Sequence, residues 1–296
     1  MAKQQKEVST EVALTERLSV VLPAITDDLL ADAETMAPEF ERDDLALPFL
    51  RILQDLSPEV KKSKPEFVEG AEPGDFLHSI TRRVWKGSTG LTVVPVSYER
   101  RHIEWKLRTE GGGFVKDWGY VPDLLATCSR NEKNQDILPN GNQLVATAVY
   151  YLLILTQDAE GGVVAVEEAV LPLKATQLKR ARQWNALISS RKIQHPKTGQ
   201  YLTPPMFYGT YLLTTVEESN DQGTWASLKV EPVGTVETMG AQGVQIYQMA
   251  KHIAAMVKRG ERKADLKSEM SAEARSSEED EVRSGGNYGD TLPLPF

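Results

Sequence analysis

The sequence of 296 residues holds one cysteine, Cys128, so it can form no internal disulfide, which fits a reducing compartment. A lone cysteine reads as a small packing residue rather than a nucleophile. No stretch approaches the roughly 18 uninterrupted apolar residues of a membrane helix. Met1 to Ser9 is polar, without the apolar centre of a secretion signal. A soluble, cytoplasmic protein is expected, in the host cytoplasm if the source is viral. The pattern G-x-x-x-x-G-K-[ST] is missing, and Gly87-Ser88-Thr89-Gly90 lacks both the length and the lysine of a phosphate loop. Only four histidines occur, His78, His102, His195 and His252, widely spaced and without H-E-x-x-H. Asp55, Glu59 and Lys61 have the residue types of a metal-dependent nuclease site, but Pro58 interrupts any strand there. No metal, no cofactor and no catalytic residue are expected.

Positive charge is also scarce overall, with a formal net charge of −8, and its distribution matters more than its sum. Residues 1–47 carry −7 and residues 259–296 carry −3, which leaves +2 on residues 48–258. The acidity sits at the two ends of a slightly basic body.

Three regions follow. Residues 1–46 form an acidic arm in which Leu14, Leu18, Val21, Ile25 and Leu29 mark one helix face, kinked or split at Pro23. A surface helix packed on the body, a contact between copies in a homo-oligomer and a self-inhibitory element all remain open for it. Residues 47–260 read as mostly β, with strands at Leu47–Leu53, Phe76–Thr81, Leu91–Tyr98, His102–Leu107, Leu144–Thr156, Val163–Leu171, Phe207–Val216 and Trp225–Val230 between Gly, Pro, Asn and Asp turns. Two helices break that pattern. One is capped by Thr176 and runs to Arg191, with Leu178, Ala181, Trp184 or Asn185, and Ile188 as its apolar stripe. The other runs from about Gln242 to Lys258, with Ile246, Met249, Ile253 and Val257 on one face. Residues 261–296 are polar and without periodicity, so a disordered acidic tail is expected.

Binding a single strand needs cations for the phosphates and flat rings for the bases. Three clusters supply both. The first is Arg82, Arg83 and Lys86 around Trp85. The second is Arg100, Arg101, Lys106 and Arg108, where strand alternation puts Arg101 with Trp105 on one face and Lys106 with Arg108 on the other. The third is Lys174, Lys179, Arg180, Arg182, Arg191, Lys192, His195 and Lys197, followed by Tyr201. Phe207, Tyr208 and Tyr211 add three rings, and either Tyr208 or the Phe207/Tyr211 pair could stack bases. A single surface cation is usually just solvated; three clusters on a β-rich body point to nucleic acid.

The tail has its own pattern. Glu278, Glu279, Asp280 and Glu281 lead through a polar spacer to Asp290-Thr291-Leu292-Pro293-Leu294-Pro295-Phe296, which places a ring and a carboxylate at the last residue for a partner's apolar pocket. This ending resembles the C-terminal tails of bacterial single-stranded DNA-binding protein and of the single-stranded DNA-binding proteins of podophages. The body, with Pro48-Phe49-Leu50-Arg51-Ile52-Leu53 and Leu56 to Lys62, is similar to proteins of phage replication modules. The resemblance implies docking of the tail, through Glu278 to Glu281, Asp290, Leu294 and Phe296, onto a polymerase, primase-helicase or nuclease, and competition of the tail with DNA for the basic groove. Here Ser284 to Gly289 separate the acids from the tip, unlike the bacterial tails.

Together these readings predict an α+β, mostly β protein: an OB-like β-barrel body with added helices that binds single-stranded DNA in phage-type replication or recombination. A non-catalytic protein adaptor and a metal-dependent nuclease are the alternatives. OB-like follows from the resemblance and the many short strands; strand order is not readable.

Overall fold

A computed structural model of the chain describes residues 45–132, 134–220 and 223–267, with isolated positions at 32, 35, 36, 40 and 269. The chain divides into two compact units, Met1–Ala46 and Leu47–Phe296. Nearly all of the first unit, and with it the expected arm, lies outside the described residues. So do the expected acidic tail tip and all of 270–296.

In chain order the body contains β1 (Leu50–Ile52), β2 (Phe76–His78), β3 (Val84–Trp85), β4 (Leu91–Trp105), β5 (Phe114–Asp117), α1 (Pro122–Ala126), β6 (Ser129–Arg130), β7 (Asp136–Ile137), β8 (Gln143–Gln157) and β9 (Val163–Lys174). These are followed by α2 (Leu178–Ser190), β10 (Ile193–Gln194), β11 (Tyr201–Leu202), β12 (Gly209–Asn220), β13 (Gly223–Thr235) and α3 (Gly240–Lys258). The fold is therefore α+β and mostly β. Its main sheet is antiparallel and curled into a half-barrel in the order β13-β12-β4-β8-β7-β6, with β5 beside β4 and β9 beside β8.

Two 15-residue strands, β4 and β8, form its spine. Gln143 to Gln157 is apolar almost without alternation because both of its faces are covered. On one face Val94, Ile103, Val149, Tyr151 and Leu153 pack with Ile246, Ala250, Ile253 and Val257 of α3. On the other, Val93, Ala148, Tyr150, Leu152 and Tyr211 pack with Leu50, Phe76 and the α2 residues Ala181 and Trp184. Trp184 is fully buried, stacked on Tyr150 at 4.4 Å between ring centroids and edge-on to Tyr211 at 5.8 Å. Deleting such a ring costs about 3–5 kcal/mol.

Several elements depart from the sequence reading. The two strands expected at Leu91–Tyr98 and His102–Leu107 are one. β8 pairs with β4 from Thr92 to Trp105, with one bulge between Pro95 and Ser97, and carries it through the charged stretch Glu99-Arg100-Arg101. Thr176 does not cap α2. A 3-10 turn at Ala175–Gln177 precedes the helix, with Ala175 at φ +49°, and no side chain caps the α2 N-terminus. In α3, Met249 is 44% exposed and Ala250 holds the buried position expected of it. Part of the segment expected as disordered tail is seated on the body: Ala264, Leu266 and Glu269 are buried. Glu269 accepts from both Nε and Nη2 of Arg51, and the same guanidinium donates Nη1 to the buried Glu59 at 2.8 Å.

The edges at β13 and β9 are partly covered by side chains. Gln54 accepts from Ala226 N at 2.9 Å and donates to Ala226 O at 3.1 Å. Gln177 donates to the same carbonyl at 2.9 Å and accepts from Leu228 N at 3.0 Å. Two amides thus occupy the outer hydrogen-bonding groups at Ala226 and Leu228 that a further strand would use, and Pro232 of β13 has no N–H to offer. At β9, Gln242 likewise bonds both N and O of Val163, and Pro48 O accepts from Val170 N.

Candidate nucleic-acid interface

Between Glu168 and Glu217 lie 48 residues with seven Lys or Arg and no carboxylate, a signal that the cluster-by-cluster sequence reading missed. The span folds into the end of β9, α2, the β10–β11 hairpin and the start of β12. Because Ala181 and Trp184 must face the sheet, the 3.6-residue period turns Lys179 and Arg182 outward. Both are exposed, as is Lys197 at the hairpin tip, and among the described residues no carboxylate pairs with any of the three. Arg100 adds to the same side. It shares a face of β4 with Tyr98, whose ring lies 5.1 Å from that of Tyr150, and the Tyr150 hydroxyl donates to Asn185 of α2. Arg100 is exposed and likewise unpaired among the described residues, as is Lys106 beyond the end of β4.

The other residues expected at the DNA face are engaged within the protein. Arg82, held at φ +59°, donates to the Glu66 carbonyl and lies 3.8 Å from Glu59. Arg83 pairs with Glu167 at 2.8 Å and lies over the Trp85 ring. Lys86 donates to Gly70 O, Glu72 and Asp75, and those carboxylates raise its pKa. Arg180 is tied to Glu218 and to Ser227 Oγ. Lys192 donates to Thr203 Oγ1 at 2.6 Å, and Arg191 lies over the Tyr211 ring at 5.2 Å. The backbone of Arg108 begins a 3-10 turn, Arg108–Glu110.

Arg101 is the largest correction. It is 3% exposed and bonds Glu99, Asp117, the Tyr151 hydroxyl and the Ala264 carbonyl, so it is unavailable to a phosphate. Burial opposes its charge, but Glu99 and Asp117 outweigh that and raise its pKa. The expected pairing of Phe207 with Tyr211 also fails. Phe207 sits in a 3-10 turn and packs on Tyr247 of α3, whereas Tyr211 packs on Trp184 across the sheet. Tyr208 is half-buried, with its hydroxyl on Glu237 at 2.6 Å. Tyr201, by contrast, is 69% exposed.

Comparison with protein families finds one described as Pam3 phage gp34-like protein, matching residues 16–263. The chain belongs to that family. No curated protein and no solved structure matches it. The match spans the whole sheet, α2, the hairpin and α3, so the exposed cations lie within the gp34-like part of the chain.

Elsewhere in this gp34-like body the titratable groups are tied into the structure. Glu104 of β4 is buried, and although burial opposes its charge, hydrogen bonds from Asn142, Asn140 and Trp118 Nε1 hold its pKa low. His102, 1% exposed, accepts from Val121 N at Nδ1 and stacks on Tyr120, while burial and then Arg100 push its pKa down. The Cys128 thiol contacts the Leu124 carbonyl, and burial pushes its pKa up, the opposite of an activated nucleophile. Glu59, the centre of the nuclease alternative, is 2% exposed and paired with Arg51. Among the described residues no three His, Cys, Asp or Glu side chains come together as a metal site, and no helix is long and apolar enough to cross a membrane.

Proposed function

We propose that this phage-family protein binds single-stranded DNA without catalysing a reaction, and that it recruits replication proteins through its C-terminal tail. The observation that carries the reading is the carboxylate-free span 169–216, which folds so that Lys179, Arg182 and Lys197 face solvent with no carboxylate partner among the described residues. Other cations expected at the DNA face are neutralised by carboxylates, as at Arg83, Lys86 and Arg101. Cations kept clear of local carboxylates suit an external polyanion. The acidic, Phe-terminated tail supports docking of a partner by its sequence alone.

Fluorescence anisotropy with a thymidine oligomer and with a duplex of equal length, across a salt series, tests the reading. Tight, salt-sensitive binding to the single strand is the expected result. No binding of either would favour the adaptor, and magnesium-dependent shortening of the oligomer would favour the nuclease.

A further inference from the structure

The β10–β11 hairpin has only two rungs, Ile193 opposite Leu202 and Gln194 opposite Tyr201. A ladder that short is marginal in water, yet the loop that closes it is tightly ordered. His195 N donates to the Gln200 carbonyl at 2.8 Å and Gly199 N to the His195 carbonyl at 2.9 Å. His195 Nδ1 accepts from the backbone N–H of Lys197 and of Thr198 at 3.2 and 3.3 Å. Gly199 supplies the left-handed turn at φ +68°. At the root, Lys192 is fixed to Thr203.

What this rigid loop holds up is apolar. Ile193 and Leu202 lie side by side on one face, 36% and 38% exposed, and Tyr201 stands on the other at 69%. Keeping three such side chains in water is unfavourable unless something covers them. Lys197 is at the tip, Arg191 and Lys192 are at the root, and no carboxylate occurs in the span, so the cover must tolerate dense positive charge. A second copy of the finger would bring like charge to like charge. Unpaired bases on a phosphate backbone satisfy both demands: rings for Ile193, Leu202 and Tyr201, phosphates for Lys197. Duplex DNA presents the phosphates but keeps its base faces stacked away.

We propose that the β10–β11 hairpin is a base-stacking finger, and that it makes this surface prefer unpaired strand over duplex. The proposal rests on the single-strand reading above and names the element that selects the substrate. Its test compares the full-length protein with Tyr201→Ala and with the double variant Ile193→Ser/Leu202→Ser. The probes are a thymidine oligomer and the same oligomer with abasic positions at its centre. Wild type should bind the thymidine oligomer about ten-fold more tightly than the abasic one. The variants should lose that preference while keeping the wild-type salt slope and melting temperature, since the finger is not part of either core. Equal, salt-dependent binding of both oligomers by wild type would overturn the finger and leave single-strand binding standing. Finger variants that retain the full base preference would overturn it too, as would loss of a DNA-free dimer in sedimentation of the variants, which would identify a second copy as the cover. Failure of wild type to bind either oligomer sinks the single-strand reading and the finger with it.

Discussion

If α2 and the hairpin tip contact phosphates, their cations should be visible in the salt dependence of binding, and the structure says which ones. Lys179, Arg182 and Lys197 are exposed without carboxylate partners among the described residues, whereas Arg180, between two of them in sequence, is committed to Glu218. Each phosphate neutralised on a single strand contributes about 0.7 to the slope of log K against log salt. The variant Lys179→Ala/Arg182→Ala/Lys197→Ala should therefore flatten the slope by about 2 and weaken binding at 0.1 M salt about 100-fold, close to 3 kcal/mol. The loss should be alike for thymidine, cytidine and mixed oligomers, because phosphates carry no sequence. Arg180→Ala is the control: it should leave the slope nearly unchanged while loosening the Glu218 contact. The assay is anisotropy titration from 25 to 200 mM sodium chloride, with a thermal melt to show that each variant is folded. A folded triple variant with the wild-type slope would refute the assignment of this surface and move the search to Arg100 and Lys106.

Three further outcomes can be checked. Arg101→Ala leaves Glu99 and Asp117 partly buried without their partner and should cost about 3–5 kcal/mol in urea unfolding. It also removes a hold on Ala264, so trypsin should cut faster at Arg262 and Lys263; a cost under about 1 kcal/mol would show the network to be ornamental. Acid should destabilise the body through two groups. The depressed pKa of His102 means that the unfolded chain binds its proton first, so stability falls as pH drops below the ordinary histidine value of 6.5. The depressed pKa of Glu104 removes further stability as pH falls through its folded value. Urea midpoints between pH 7.5 and 5 should fall less steeply for His102→Phe than for wild type, and parallel curves would contradict this. Phe296→Ala should leave folding and oligomer affinity unchanged while weakening capture of the cognate replication protein by about 1–3 kcal/mol. Equal capture by both forms would return the tail to a solubility role.

Much of the body was legible because its apolar pattern is strong. The Leu144 to Thr156 run, rich in β-branched and aromatic residues and followed by Gly161-Gly162, reads as a strand, and the spacing of Ala181 and Trp184 sets the sheet-facing side of α2. Glu99-Arg100-Arg101 falls between two expected strands because local propensity cannot register that a distant partner strand pairs across it, nor that Asp117 and Ala264 receive Arg101. For the same reason, basic clusters are a poor guide to free cations. Lys86 looks as available as Lys179, and only the folded positions of Glu72 and Asp75 distinguish them. The better sequence signal was an absence, the missing carboxylates of 169–216, because pairing needs a partner within reach. The short elements between Phe114 and Ile137 left little trace, being two to five residues each and held by contacts rather than propensity.

The glutamines that cover β13 and β9 also make those edges depend on single side-chain atoms. Each of Gln54 and Gln242 both donates to and accepts from the same backbone residue, and Gln177 donates to Ala226 and accepts from Leu228, two residues on. A primary amide serves in both roles; a carboxylate accepts but cannot donate. Deamidation at any of them would set a negative oxygen against a main-chain carbonyl and strip the cover from an edge strand. Gln54→Glu, Gln177→Glu and Gln242→Glu make the same one-atom change, and each should therefore lose solubility by edge-to-edge association before it loses its fold, with light scattering rising ahead of any change in circular dichroism.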